Sequence, residues 1–211
     1  MNFYLFGIIT FLLGGLPFGL IIGFVSGRGD IRRQGSGNIG ATNVLRVIGP
    51  VAAVIALLGD VGKGVVAVWL GRIWFNGQWP VDLDTALIIG GISAILGHVF
   101  SPYLKFKGGK GVNTALGVFL MLAPIESLIA LAAFILIVVS SRFVSLASMS
   151  AGVVFAAVLW VEKLALDYSR SWMLVAIATF LALFILFTHR SNIGRLMAGT
   201  ENKLQINRTA S

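Results

Sequence analysis

The sequence has no cysteine, and it carries little charge. Only 11% of its 211 residues are Asp, Glu, Lys or Arg, where a soluble domain holds about 25%. The missing cysteines exclude disulfides, thiolate nucleophiles and Cys-ligated metals. The two histidines, His98 and His189, lie far apart in the chain, and no zinc-ligand spacing is visible. No metal and no cofactor is expected. Acidic residues are scarce, 8 against 16 Lys and Arg. No internal repeat or low-complexity tract stands out, so one integrated domain over residues 1–211 is expected.

What is abundant is apolar: 57% of the residues are hydrophobic and the mean hydropathy is +0.94. Apolar runs fall near 3–26, 48–75, 84–101, 112–123, 125–140, 143–161 and 171–188. Several approach or exceed the ~20 residues a helix needs to cross a bilayer. Only helices or closed barrels satisfy the backbone in lipid, and these runs are too long and too continuously apolar for barrel strands. The expected fold class is therefore all-α, a polytopic integral membrane protein with about seven transmembrane helices. The first run lacks a basic leader and a small-residue cleavage site, so it is read as a span and not as a signal peptide.

Charge sets the sides. Arg28, Arg32, Arg33 and Arg46 flank the first connection, and Lys105, Lys107 and Lys110 lie in the third. Arg142 lies in the fifth, and Arg190, Arg195, Lys203 and Arg208 follow the last span. The intervening connections carry Asp82 and Asp84, then Glu126, then Glu162, Lys163, Asp167 and Arg170. The positive-inside rule puts the basic set in the cytoplasm, with the N-terminus outside and the C-terminus inside. This requires the chain to turn back near Pro124. Seven full crossings and five crossings plus a hairpin give the same sides.

That topology gathers three polar stretches on one side: "GSGNIGATNVLR" (35–46), "SPYLKFKGGKGVNT" (101–114) and "THRSNIGRLMAGTENK" (188–203). Basic residues beside membrane helices commonly serve only as topology signals, and glycines at helix ends as caps. Neither accounts for Ser36, Asn38, Thr42 and Asn43 set between glycines, nor for Asn113, Thr114 and Asn192 near the boundary. Phosphate binding does. Glycines let consecutive N–H groups converge on an anion, and a helix starting near Thr42 or Val44 adds partial positive charge. Ser36, Thr42 and Asn43 offer side-chain donors, and Arg46 a bidentate one. "KFKGGKG" interleaves three lysines with three glycines as a candidate second cradle.

Two familiar patterns are set aside. Gly35, Gly37 and Gly40 spell G-x-G-x-x-G, but a membrane helix precedes them instead of a strand. "GGKG" at 108–111 lacks the Ser/Thr and the first glycine of a Walker A loop. Asp60 and Lys63 lie three apart on one helix and can share a face, as a structural ion pair or as part of a proton path. His98 is expected to be a packing or boundary histidine. His189 is a candidate proton acceptor, with Asn192 one turn on. Arg142 and Ser145 in "SRFVSLAS" are either anchor and helix cap or part of a polar pocket.

Together "SGNIGATN", "KFKGGKGV" and "HRSNIGRLMAGTE", with "DVGKG" and "SRFVSLAS", resemble the bacterial acyl-phosphate-dependent glycerol-3-phosphate acyltransferase family, called PlsY, over nearly the whole chain. The resemblance implies a single membrane acyltransferase domain in the bacterial inner membrane with its active site on the cytoplasmic side. It would carry acyl from acyl phosphate to the 1-hydroxyl of glycerol 3-phosphate, giving lysophosphatidic acid and phosphate. An upstream acyl-phosphate-forming enzyme is then an expected partner. Ser36, Arg46, His189 and Asn192 carry over as catalytic residues. Gly37, Asn38, Gly40, Thr42, Asn43, Lys105, Lys107, Gly108, Gly109, Lys110, Ser145 and Glu201 carry over as substrate-binding residues. "GVNT" stands where the family pattern leads one to expect "GVAT". The chemistry agrees: an acyl phosphate is an activated anhydride, so neither a cysteine nor a catalytic triad is required, and the H-x₄-D acyltransferase signature is absent. The proton of the 1-hydroxyl has two candidate acceptors, His189 and a phosphate oxygen of the substrate.

The main alternative is a transporter of a phosphate ester or lipid. It explains helices, basic loops and Asp60–Lys63, but it does not require three glycine–asparagine motifs on one side, and transporter sites sit near the midplane between repeats. A CDP-alcohol phosphotransferase needs a cluster of membrane aspartates, and only Asp60 lies well inside a span.

Overall fold

The computed structural model describes residues 3–75, 82–166 and 171–204. Asp167, Arg170 and Arg208, used above to assign sides, lie outside the described residues. Ten α-helices and two short 3₁₀ turns account for the described elements. The chain forms two compact units, residues 1–124 and 125–211.

In the first unit, α1 (Phe3–Gly15) and α2 (Phe18–Val25) occupy the first apolar run. The run is not one helix. Pro17 has no N–H and its ring excludes a continuous ladder, so the 23-residue span breaks at Leu16–Pro17. The break presents carbonyls to other elements: Ser101 Oγ donates to Gly15 O (2.6 Å) and Lys63 Nζ to Leu16 O (2.9 Å). After a 3₁₀ turn at Ile31–Arg33, α3 (Ala41–Val47) leads through Gly49, at φ 130°, into α4 (Pro50–Trp74). Proline at the first position of α4 suits a helix start. α5 (Leu83–Val99) opens on Asp82, whose side chain accepts from the Thr85 N–H. α6 (Val112–Leu122) follows the lysine–glycine loop.

Small residues let these helices meet backbone to backbone, the packing used where lipid offers no hydrophobic drive. A Cβ on Gly14 would strike the Ala94 backbone, and one on Gly97 the Phe11 backbone, so α1 lies directly on α5. The same reciprocity joins α4 and α6, through Gly64 against Thr114 and Gly117 against Val61. The outer face of α4 presents Val51, Val54, Ile55, Leu58 and Trp69, all more than half exposed, as a lipid-facing surface does.

In the second unit, α7 (Pro124–Ser141) and α8 (Val144–Leu164) are joined by a two-residue turn with Arg142 at φ 62°. α9 (Trp172–Thr188) packs along α8, and α10 (Arg190–Met197) continues it at a bend of 58°. Trp160 donates through Nε1 to Thr179 Oγ1 (2.9 Å) and meets Trp172 edge-on, with Lys163 Nζ 5.0 Å from the Trp172 centroid. Such an aromatic–basic group suits a membrane–water interface. The chain after α10 returns to the α7–α8 turn, where the Leu204 N–H donates to Arg142 O (2.7 Å).

Helices thus form at all seven expected places, and the helix breaks at Ala123, between α6 and α7. They differ in length. Among the described residues, five segments are long and apolar enough to span, and a sixth if α9 and α10 count as one. The 11 residues of α6 reach only about 16 Å at the usual helical rise, roughly half the hydrocarbon thickness. The stretch 112–140 is one short helix and one full-length helix.

Two glycines of α6 and α4 separate packing from helix propensity. Gly117→Ala should destabilise by roughly 1–3 kcal/mol through overpacking against Val61. Gly62→Ala has open space and should gain about 0.5–1 kcal/mol of helix propensity. Thermal unfolding of each variant in one detergent measures both; equal shifts would contradict the backbone contact.

Candidate functional site

The first glycine motif is a compact turn organised around Asn43. This residue is 1% exposed. Its amide Nδ2 donates to the carbonyls of Ile31 (3.0 Å), Gln34 (3.2 Å) and Asn38 (2.8 Å), while its Oδ1 accepts from the Ser36 N–H (2.8 Å). Asn38 Oδ1 accepts from the Gly40 N–H and Gln34 O from the Gly37 N–H. Gly35 and Gly37 take positive φ, 59° and 72°, which the reversal requires. The glycines bend the chain, and the amides of Ser36, Gly37 and Gly40 turn inward. An open nest of N–H groups is not formed by these three, because the Asn43 and Asn38 side chains and the Gln34 carbonyl occupy them.

What faces outward is side chain. Ser36 is exposed and Thr42 half-buried. α3 starts at Ala41, one residue before the earliest expected start, so Arg46 lies in its last turn, half-buried. Arg32 is tied to Asp30, with Nη2 2.7 Å from Oδ2. Hydrogen bonds from Arg32 hold the Asp30 carboxyl down to about 2.

The second motif lies beside the first. Leu104 shares an apolar cluster with Leu20, Ile31, Ile39 and Val44, so the two loops stand on a common floor. Lys105 and Phe106 both adopt left-handed backbone, at φ 52° and 60°, costly for side-chain-bearing residues. This turn projects Lys105 and Lys107, both exposed, while Lys110 is half-buried. The Gly108 N–H donates to Val99 O (2.9 Å) and the Gly109 N–H to His98 O (3.1 Å). Here too the glycine amides are occupied by protein, and the outward chemistry is that of lysine side chains. Asn113 and Thr114 sit in the first turn of α6.

Beneath these loops Asp60, Lys63 and His98 come together, all less than 5% exposed. Lys63 Nζ lies 2.7 Å from Asp60 Oδ1 and 2.8 Å from His98 Nδ1. The expected pair is an ion pair, and the boundary histidine is its third member. An ammonium only donates, so Nδ1 accepts and the His98 ring carries its proton on Nε2.

In the second unit the third motif closes on a carboxylate. Glu201 Oε1 accepts from Asn192 Nδ2 (2.6 Å) and Ser145 Oγ (2.9 Å), and Oε2 from Arg195 Nε (2.6 Å). Burial pushes this carboxyl up, but the bonds from Asn192, Arg195 and Ser145 outweigh it and hold it below the usual range. Ser145 is not a helix cap; Phe143 holds that position. His189 sits at the bend between α9 and α10, 3% exposed, with Nδ1 2.8 Å from Ile185 O. A carbonyl only accepts, so Nδ1 bears a proton and the basic lone pair of a neutral ring lies on Nε2. Arg195, absent from the residues expected at the site, is as close to Glu201 as Asn192 is. Its signal in the sequence was only its place in the third motif.

A family model described as glycerol-3-phosphate acyltransferase matches residues 4–199. A curated glycerol-3-phosphate acyltransferase of Trichlorobacter lovleyi is 43% identical, covering 93% of this chain and 94% of its own. That of Caulobacter vibrioides is 44% identical, covering 92% and 84%. The crystal structure of PlsY (YgiH), an integral membrane glycerol 3-phosphate acyltransferase, in its glycerol 3-phosphate form superposes with a TM-score of 0.85 at 32% identity, over 97% of this chain and 96% of that one. Its lysophosphatidic acid form gives 0.82 at 31%, over 96% and 95%. With its helical membrane fold and its glycine, lysine and histidine–asparagine motifs, the chain belongs to the glycerol-3-phosphate acyltransferase family.

Proposed function

We propose that this chain transfers an acyl group from an acyl phosphate to the 1-hydroxyl of glycerol 3-phosphate, on the cytoplasmic face of a bacterial inner membrane. The observation that carries this reading is the likeness to PlsY in forms with glycerol 3-phosphate and with lysophosphatidic acid. These two molecules differ by one acyl group, so they are the acceptor and the product of an acyl transfer. The donor must then be an activated acyl compound. An acyl phosphate fits a chain without cysteine, because the anhydride needs no covalent activation. An enzyme that forms acyl phosphates would have to supply it.

The hydroxyl oxygen attacks the acyl carbon, a C–O bond to glycerol forms, and the bond from the acyl carbon to the phosphate oxygen breaks. The proton leaves the hydroxyl, and inorganic phosphate departs with the bonding pair. Lys105, Lys107 and Arg46 hold phosphate, with Lys110, Thr42 and Ser36 as further donors. Gly37, Asn38, Gly40, Asn43, Gly108 and Gly109 act by shaping the loops. Positioning supplies about 7–11 kcal/mol of barrier reduction, and preorganised cations several more. His189 Nε2 and a substrate phosphate oxygen are the two acceptors for the proton. Asn192 is oriented by Glu201, which also holds Ser145.

Purified protein in lipid, given palmitoyl phosphate and glycerol 3-phosphate without ATP, CoA or metal, should yield lysophosphatidic acid and phosphate in equal amounts. Product from palmitoyl-CoA but not from palmitoyl phosphate would overturn the donor assignment. His189→Ala separates the two bases: a loss of more than about a hundredfold with a vanished acid limb in the pH–rate profile assigns the base to His189.

Glu201→Gln should cost about 1.5–3 kcal/mol, the worth of hydrogen bonds to a charged group. The sign with pH follows from the lowered carboxyl. Its stabilisation is fully present above about 4.3, the ordinary glutamate value, and is lost as pH falls through the lowered pKa. Unfolding temperature measured against pH should therefore drop more steeply on the acid side for the parent protein than for Glu201→Gln.

A further inference from the structure

The buried group of Asp60, Lys63 and His98 has an outlet that the reaction described above does not use. The lysine–glycine loop rests directly on His98. The Gly109 N–H donates to His98 O and the Gly108 N–H to Val99 O. A Cβ on Gly109 would collide with His98 Nε2 and stand 3.0 Å from both Cδ2 and Cε1 of the ring. A Cβ on Gly108 would collide with His98 O. The imidazole is thus the surface against which Gly109 is pressed, while Gly108 meets the backbone carbonyls of His98 and Val99; the ring's own orientation is fixed from behind.

Lys63 does the fixing. Its ammonium has three protons and three acceptors: Asp60 Oδ1 on its own helix, Leu16 O at the α1–α2 break, and His98 Nδ1 on α5. All three hydrogen bonds are 2.7–2.9 Å long, so the ammonium is saturated. Rotating the His98 ring would leave an N–H unsatisfied on a cation at 1% exposure, a costly state inside a membrane span.

We propose that His98, locked by Lys63 and Asp60, is a positioning residue for acyl transfer: it fixes the height and direction of the lysine–glycine loop, and with them the points at which Lys105 and Lys107 meet substrate phosphate. This rests on the reading of those lysines as phosphate ligands. Glycine is required at 109 by the ring beneath it and at 108 by the His98 and Val99 carbonyls, not by an anion above them.

A double-mutant cycle tests this. Gly109→Ala in the parent lifts the loop off the ring and should raise the KM for a phosphate-bearing substrate about tenfold or more while kcat stays within about threefold. His98→Asn keeps an oxygen able to accept from Lys63 but removes the ring atoms under Gly109. In that background Gly109→Ala should cost less than about threefold. His98→Leu, which strands a Lys63 N–H, should be worse than His98→Asn. An equal penalty for Gly109→Ala in both backgrounds, or equal behaviour of His98→Asn and His98→Leu, overturns the proposal. Lys105→Ala/Lys107→Ala tests the underlying reading separately: an unchanged KM there removes the lysines as phosphate ligands, whereas coupling between positions 98 and 109 reads only the seating of the loop. If Gly109→Ala does not accumulate, Asp60→Asn/Lys63→Met decides by hydrogen exchange. Amide exchange across residues 105–111 should speed up about tenfold or more if the ring holds the loop; unchanged exchange refutes it.

Discussion

The irregular pieces that meet at Lys63 depend on one constraint: a charged group placed at membrane depth needs its partners inside the chain. The Lys63 ammonium shows how far that constraint reaches. Pro17 breaks the first span, and the break makes the Leu16 carbonyl available; α4 carries Asp60 one turn from Lys63; α5 brings His98. One cation therefore fastens three segments that are distant in sequence. Remove any acceptor and a buried N–H is stranded, which is why the broken helix, the ion pair and the histidine are best understood as one feature.

The glycine motifs also satisfy their backbone groups from within the chain. A glycine-rich turn has two possible uses for its N–H groups, outward to an anion or inward to carbonyls and side chains. Here the amides of Ser36, Gly37, Gly40, Gly108 and Gly109 all turn inward. The result is two stiff loops on a shared apolar floor of Ile31, Ile39, Val44 and Leu104. Stiffness matters more than extra donors for such a site. An ammonium on a flexible stem is a useful phosphate ligand only if its root is fixed, and the left-handed backbone at Lys105 and Phe106 shows how firmly the root of that lysine is held.

Hydropathy made the helices legible because lipid demands long apolar segments whatever their packing, and Pro124 marked a helix boundary because proline cannot continue a ladder from the preceding helix. Averaging over an apolar window concealed the break at Pro17, since flanking leucines and glycines keep the run uniformly greasy. It also concealed the brevity of α6, whose apolar residues run on into α7. The motifs identified the family because their combination is specific, but composition cannot tell an asparagine that binds a ligand from one that staples its own loop. Asn43 offers the same donors and acceptor either way, and only its burial against three carbonyls decides. Lys63 and His98, 35 residues apart, and Arg195 and Glu201, brought together by the turn at Gly199, fall outside any helical spacing rule.

The division of labour between backbone and side chain bears on the reaction itself. An oxyanion hole of backbone amides suits an enzyme that must stabilise a tetrahedral intermediate at a poorly activated carbonyl. An acyl phosphate brings its own good leaving group, so the demand shifts from the carbonyl oxygen to the departing phosphate and to alignment of the hydroxyl. In the reaction proposed above, both demands fall to cationic side chains on rigid mounts. A loop whose amides are already closed on themselves loses little in such chemistry and gains a fixed geometry.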